Sequence, residues 1–280
     1  MAELEAVVGH YVTVEVDGRS HRIYFEEAGT GTPLICLHTA GADARQWRHL
    51  LADKEITDSY RVIAFDLPWH GRSLPPDNWW TIEYRLTVEE YAAITLALVD
   101  ALDLDRPIVI GCSVGGVATL ELAWHHADRL RGAIALEAAS KIEGRFLDWS
   151  IRPDIDGSEF AASWTYGLMA PQGPEESRRE VWWIYAGGGP GVYRGDTWAW
   201  SEGFDLRGHE HEVDTRKCPL QILAGEYDYV CTPNAALETA SLIEGAVGTK
   251  MIGLGHFPMS ENYSRFRPYL LDALSAIETG

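Results

Sequence analysis

Pro107-Ile108-Val109-Ile110-Gly111-Cys112-Ser113-Val114-Gly115-Gly116 is the stretch whose reading decides the fold. A short β-branched run stops at a serine set among glycines and opens into a helix. The pattern small-x-Ser-x-small is a nucleophile elbow: the strand turns so sharply that the serine enters a strained backbone region, and only small neighbours such as Gly111 and Gly115 let the turn pack. Ser113 Oγ then stands clear at the strand tip. The next peptide N–H, on Val114, lies at a helix N-terminus, where unpaired donors and the helix dipole favour negative charge.

Working outward, Tyr11 to Val16 alternates polar and apolar residues, Asp17-Gly18 is a hairpin signal, and His21 to Glu27 resumes the strand. Leu34-Ile35-Cys36-Leu37 and Arg61-Val62-Ile63-Ala64-Phe65 read as strands buried on both faces, with a short helix over Trp47 to Leu51 between them. Thr87, with Glu90 three residues on, caps a helix that runs to Leu102. After the elbow come a helix from Val114 to His126 and the strand Gly132 to Leu136, ending at Glu137. The closing rhythm is strand Leu220 to Ala224, helix Pro233 to Glu244, strand Lys250 to Ile252 and helix Phe266 to Ile277. Such alternation implies an α/β fold, a mostly parallel sheet with helices on both faces.

Residues 141–212 break that rhythm with Trp149, Trp164, Trp182, Trp183, Trp198, Trp200 and the run Gly187-Gly188-Gly189-Pro190-Gly191. They read as an inserted helical cap on a core of residues 1–140 and 213–280. Trp164, Trp182 and Trp183, with Phe257 beside the last strand, are the candidates for lining an apolar pocket over the serine.

The chain has 280 residues, 46% of them hydrophobic, and a formal net charge of −19. That length allows one large core, and that charge argues against nucleic acid and anionic lipid as partners. The first residues, Met1-Ala2-Glu3-Leu4-Glu5, lack a basic, apolar leader, and no apolar run reaches the ~20 residues of a membrane span, so a cytoplasmic location is expected. Cys36, Cys112, Cys218 and Cys231 are scattered and read as reduced thiols. The expected partner is a hydrophobic small molecule; a second copy of the chain, as a homodimer, stays open.

A serine hydroxyl is a weak nucleophile and needs a base that is itself oriented by an acid. Gly253-Leu254-Gly255-His256-Phe257-Pro258 places His256 in a glycine-flanked loop after the last strand. Two acids compete for it: Asp228, in Gly225-Glu226-Tyr227-Asp228, and Glu137, at the tip of the strand after the elbow. A second oxyanion donor, beside Val114 N–H, falls to Ala40 in His38-Thr39-Ala40-Gly41. Asp66, His70 and Arg72 read as a turn that satisfies its own backbone, and Glu226 as a structural carboxylate. His209-Glu210-His211 and His125-His126 do not complete a metal-ligand set, so neither metal nor cofactor is expected. A charged substrate would want an arginine in the pocket, from Arg145, Arg152 or Arg194.

The order Ser113, Asp228, His256, together with His38-Thr39-Ala40-Gly41 and Asp66-Leu67-Pro68-Trp69-His70-Gly71-Arg72-Ser73, resembles the α/β-hydrolase superfamily over nearly the whole chain outside the cap. That resemblance implies an eight-stranded, mostly parallel sheet, a cap after the sixth strand and an acyl-serine mechanism. The family's oxyanion loop usually reads His-Gly; here Thr39 replaces the glycine. Gly111-Cys112-Ser113, Glu137 and Gly255-His256-Phe257-Pro258 are also similar to fungal zearalenone lactonases, in which a glutamate after strand six is the acid. A serine at position 113 is the wrong nucleophile for haloalkane dehalogenase or epoxide hydrolase chemistry. The expected activity is hydrolysis of a carboxylic ester or lactone, with carbon–carbon bond hydrolysis of a vinylogous diketone and a non-catalytic ligand receptor as competitors.

Overall fold

The computed structural model describes residues 4–146 and 157–279. Trp149 and Arg152 lie outside the described residues. In chain order the elements are β1 (Val8–Val16), β2 (Arg19–Ala28), β3 (Thr32–Leu37), α1 (Arg48–Leu51), α2 (Lys54–Thr57), β4 (Tyr60–Phe65), α3 (Val88–Ala101), β5 (Ile108–Cys112), α4 (Val114–His125) and β6 (Gly132–Leu136). They continue with α5 (Gly157–Tyr166), α6 (Glu175–Ala186), α7 (Val192–Ser201), β7 (Leu220–Gly225), α8 (Pro233–Leu242), β8 (Val247–Met251), α9 (Pro258–Glu261) and α10 (Tyr263–Thr279).

The strands form an eight-stranded sheet in the order β1-β2-β4-β3-β5-β6-β7-β8. β1 pairs with β2, and β2 with β4, antiparallel; every other pairing is parallel. The hairpin between β1 and β2 turns through Asp17 and Gly18, both at positive φ (50° and 73°), the backbone a tight two-residue hairpin needs. Central strands are covered on both sides, so β5, β6 and β7 are buried at every residue.

Side chains alternate across the sheet and divide the core in two. Ile35, Leu37, Ile63, Phe65 and Val109 face α3 and α4, while Leu34, Cys36, Val62, Ile108 and Ile110 face α1 and α10. The Thr87 cap forms as expected, its side chain accepting the Glu90 N–H at 3.1 Å.

Several element boundaries differ from the sequence reading, three of them by three residues, the first being β1, which begins at Val8 rather than Tyr11. The closing helix begins at Tyr263 rather than Phe266, with Pro268 inside it. β8 begins at Val247, not Lys250; as the sheet's edge it is largely exposed, so its polar residues hide the strand signal. Between β6 and β7, helices α5, α6 and α7 lie over the ends of the strands that carry the elbow. None of the described helices is long and apolar enough to cross a membrane.

Candidate active site

β5 ends at Cys112 and α4 begins at Val114, which leaves Ser113 alone to make the turn. It does so at φ 59° and ψ −117°, a conformation that costs an L-residue of order 1–3 kcal/mol. The surroundings hold it there. Ser113 N–H donates to Leu136 O at 2.9 Å, and Ser113 O accepts from Val117 N–H at 2.9 Å. A Cβ on Gly111 would fall 2.1 Å from Gly115 O, and one on Gly115 would fall 2.6 Å from Leu37 O, so both positions admit only glycine. Cys112 is buried beneath the elbow and donates its thiol to His256 O at 3.2 Å.

His256 comes from the loop between β8 and α9, as its position after the last strand suggests. Its N–H donates to Leu168 O at 3.0 Å, and its Nδ1 lies 2.6 Å from Asp228 Oδ2. Asp228 sits in the turn after β7, where its Oδ1 accepts Val230 N–H (2.8 Å) and Cys231 N–H (3.1 Å), so both oxygens are committed. Nδ1 therefore carries a proton toward the carboxylate. Glu261 braces the loop from below, accepting from Gly255 N–H at 2.5 Å and from Ala170 and Phe257 N–H at 3.3 Å. Burial raises its carboxyl to about 6, against the pull of those three donors.

Glu137 stands behind this pair. It is fully buried at φ 52°, its Oε1 accepts Gly225 N–H at 2.8 Å, and its Oε2 has no hydrogen-bond partner. Burial, reinforced by the neighbouring Asp228 carboxylate, pushes its carboxyl well above the ordinary glutamate range. Glu137, Asp228 and His256 bring one potential ligand atom each within 4.8 Å of the others. The 2.6 Å contact between Asp228 and His256 is a hydrogen-bond length; two ligands sharing an ion at about 2.0–2.1 Å each stand farther apart than that. The donor set suits a proton, not a metal.

The oxyanion loop follows β3. Thr39, which stands where the related motif has glycine, is pinned on three sides: its N–H and hydroxyl both lie 3.0 Å from Gln46 Oε1, and its hydroxyl lies 2.5 Å from the Tyr185 hydroxyl. Its side chain thus has a structural use, and the loop still delivers Ala40 to the cavity that holds Ser113 and His256. Asp66 accepts Ala44 N–H (2.8 Å) and Arg72 N–H (2.7 Å), so it does bind its own turn. His70 reaches further than that turn: its Nε2 lies 2.8 Å from Asp196 of α7.

Among the described residues the cavity is small, about 20 Å³. Among the residues that line it are Ser113, His256, Phe257, Trp164, Trp200 and Arg145. Trp182 and Trp183 do not belong to it; they line an outer groove with Ser163, Tyr166 and Arg179, and Trp183 is 67% exposed. Helical phase is the reason. Val181, Ile184 and Tyr185 form the inward stripe of α6, and the two tryptophans fall between those positions. The aromatics that do meet the histidine are Trp200 and Phe257, with ring centroids 5.4 and 4.9 Å from the imidazole. Of the arginines named from sequence, Arg145 lines the cavity, whereas Arg194 pairs with Glu83.

Gln46, Tyr185 and Asp196 escaped the sequence reading. Tyr185 and Asp196 act across long sequence separations, for which local patterns carry no signal, and Gln46 acts through a loop contact with Thr39 that no residue pattern records.

The profile of the alpha/beta hydrolase family matches residues 34–267. Among curated proteins, a zearalenone hydrolase of Bionectria ochroleuca is 28% identical over 142 residues, 50% of this chain and 52% of its own. A 2-hydroxy-6-oxononadienedioate/2-hydroxy-6-oxononatrienedioate hydrolase of Burkholderia vietnamiensis is 30% identical over 129 residues, 45% of this chain and 43% of its own. The chain spans about half the length of the curated relatives it matches, and those relatives also include haloperoxidase and dehalogenase names. A thermophilic esterase from Thermogutta terrifontis superposes with a TM-score of 0.83 at 21% identity, covering 96% of this chain and 99% of the esterase, a likeness of fold.

Proposed function

The chain belongs to the alpha/beta hydrolase family, and from that premise we propose that it is a serine hydrolase cleaving a carboxylic ester or lactone of a small, largely hydrophobic molecule. The observation that carries this reading is the strained Ser113 in one cavity with His256, whose Nδ1 is held 2.6 Å from Asp228. His256 Nε2 takes the Ser113 proton as Oγ attacks the substrate carbonyl. The tetrahedral oxyanion is met by the N–H groups of Val114 and Ala40. Collapse expels the alkoxide, which takes the proton back from His256; water, deprotonated by the same nitrogen, then releases the acid from Ser113. Asp228 is the orienting acid, and Glu137 is its protonated neighbour. Helices α5–α7 serve as the cap of residues 141–212, covering a core of residues 1–140 and 213–280.

A fluorophosphonate probe followed by peptide mass spectrometry tests the mechanism. Labelling at Ser113, with turnover of a p-nitrophenyl ester abolished in a folded Ser113→Ala variant, is the expected result. Unchanged turnover in that variant would reject it. A second reading, carbon–carbon bond hydrolysis, draws support from the name of the Burkholderia relative. Product analysis separates the two, since only an ester or lactone releases an alcohol group.

A further inference from the structure

We propose that the substrate carries a carboxylate, bound by Arg145 at the wall of the Ser113 cavity. This rests on the serine-hydrolase reading and deepens it. The chain has 42 acidic and 23 basic residues, yet among the described residues none of the side chains lining the cavity is acidic, and beside His256 the charged group there is Arg145. Several other arginines are neutralised by carboxylates, Arg45 by Asp43, Arg61 by Glu27, Arg194 by Glu83 and Arg267 by Asp53, while Arg106 bonds backbone carbonyls and Arg22 and Arg85 lie over aromatic rings; Arg145 differs from all of these in lining the Ser113 cavity. Arg145 has no carboxylate within 4.0 Å among the described residues.

Its bonds fix it in place without satisfying it. The backbone N–H donates to Ser201 Oγ at 3.0 Å, and one terminal nitrogen donates to Tyr229 O at 3.0 Å, beside the turn that holds Asp228. Nε is buried and has no acceptor. Trp200, next in sequence to Ser201 and also lining the cavity, buries an equally unpartnered Nε1–H. Buried donors without acceptors are rare because each forfeits a hydrogen bond to water. Two residues of this cavity's lining carry such donors, one of them on a guanidinium, the group best suited to receive a planar anion. The cavity's remaining walls, Trp164, Leu168, Val230 and Phe257 among them, suit the apolar body of the same molecule.

Matched esters test this directly. Mono-p-nitrophenyl adipate and p-nitrophenyl hexanoate differ only in a terminal carboxylate on the acyl chain; 4-acetoxybenzoate and phenyl acetate place the same difference on the leaving group. We expect one pair to show kcat/KM at least about tenfold higher for the anionic member, the scale of one charge-assisted contact. In Arg145→Met that ratio should fall to one or below, with the change concentrated in KM. Arg145→Lys should restore part of it, and 0.5 M NaCl should compress it in the unmodified protein. Because each ratio compares two substrates on one preparation, partial misfolding of a variant cancels. Hydrolysis of the neutral esters with no anionic preference in either pair, or a ratio that survives Arg145→Met, overturns the carboxylate inference alone. No ester hydrolysis and no fluorophosphonate labelling of Ser113 would overturn the serine-hydrolase reading and this inference with it.

Discussion

Asp228 and Glu137 are two carboxyls a few ångströms apart whose surroundings hold them in different states. Asp228 receives three donors, from Val230, Cys231 and His256; Glu137 receives one, from Gly225. Burial beside a carboxylate that is better served leaves Glu137 with its proton. Its folded pKa is raised, so the stability it contributes is full below the ordinary glutamate value and is lost as pH rises through the raised one. Replacing Glu137 by the neutral glutamine should therefore change kcat by less than about tenfold, whereas Asp228→Asn should lower it by roughly 10³- to 10⁴-fold, as loss of the histidine's orienting acid does elsewhere. A p-nitrophenyl ester assay on both variants decides the point, and the reverse ranking would make Glu137 the triad acid. Sequence placed both acids at neighbouring strand tips and could go no further. The count of N–H donors facing each oxygen is a property of loop backbone, which no residue pattern records.

Among the elements, α7 is fastened to the body of the protein by one buried side chain. Asp196 accepts from Gly41 N–H (2.7 Å), Tyr84 hydroxyl (2.7 Å) and His70 Nε2 (2.8 Å), which ties the helix to the loop that presents Ala40. Burial lowers the His70 pKa, but the charge and hydrogen bond of Asp196 outweigh it and leave the pKa raised. A raised histidine contributes stability that is complete below pH ~6.5 and disappears as pH climbs through its folded value. Asp196→Asn should therefore be less stable than the parent by roughly 3–5 kcal/mol at pH 6, the usual range for breaking a buried pair, and the gap should narrow by pH 8. Urea denaturation at the two pH values measures both. A gap that stays constant would mean that His70 does not change its charge between pH 6 and 8. The same layer shows where periodicity misleads. Trp182 and Trp183 fall outside the stripe of Val181, Ile184 and Tyr185, which had already claimed the inward face. In the core the helices and strands were legible because apolar runs and glycine breaks agree; β1 and β8, exposed at the two edges, were the strands whose starts were misplaced by three residues.

At the scale of the whole molecule, the alternation of strand and helix was enough to announce a parallel sheet, while the order β1-β2-β4-β3-β5-β6-β7-β8 depends on crossovers that a single chain's pattern does not encode. The cavity size has a consequence for turnover. About 20 Å³ accommodates roughly one water molecule, far less than any ester large enough to touch both Ser113 and Arg145. The expectation is that a more open member of the ensemble, with α5–α7 displaced, admits the reactant. Apparent affinity is then the intrinsic affinity weakened in proportion to how seldom that open member is populated. The acylation rate with a bulky fluorophosphonate should level off at high probe concentration, at the frequency with which α5–α7 part, while a minimal probe should keep accelerating. Added viscosogen should slow the plateau and spare the small probe, so the protein would choose among otherwise equal esters by timing as well as by fit.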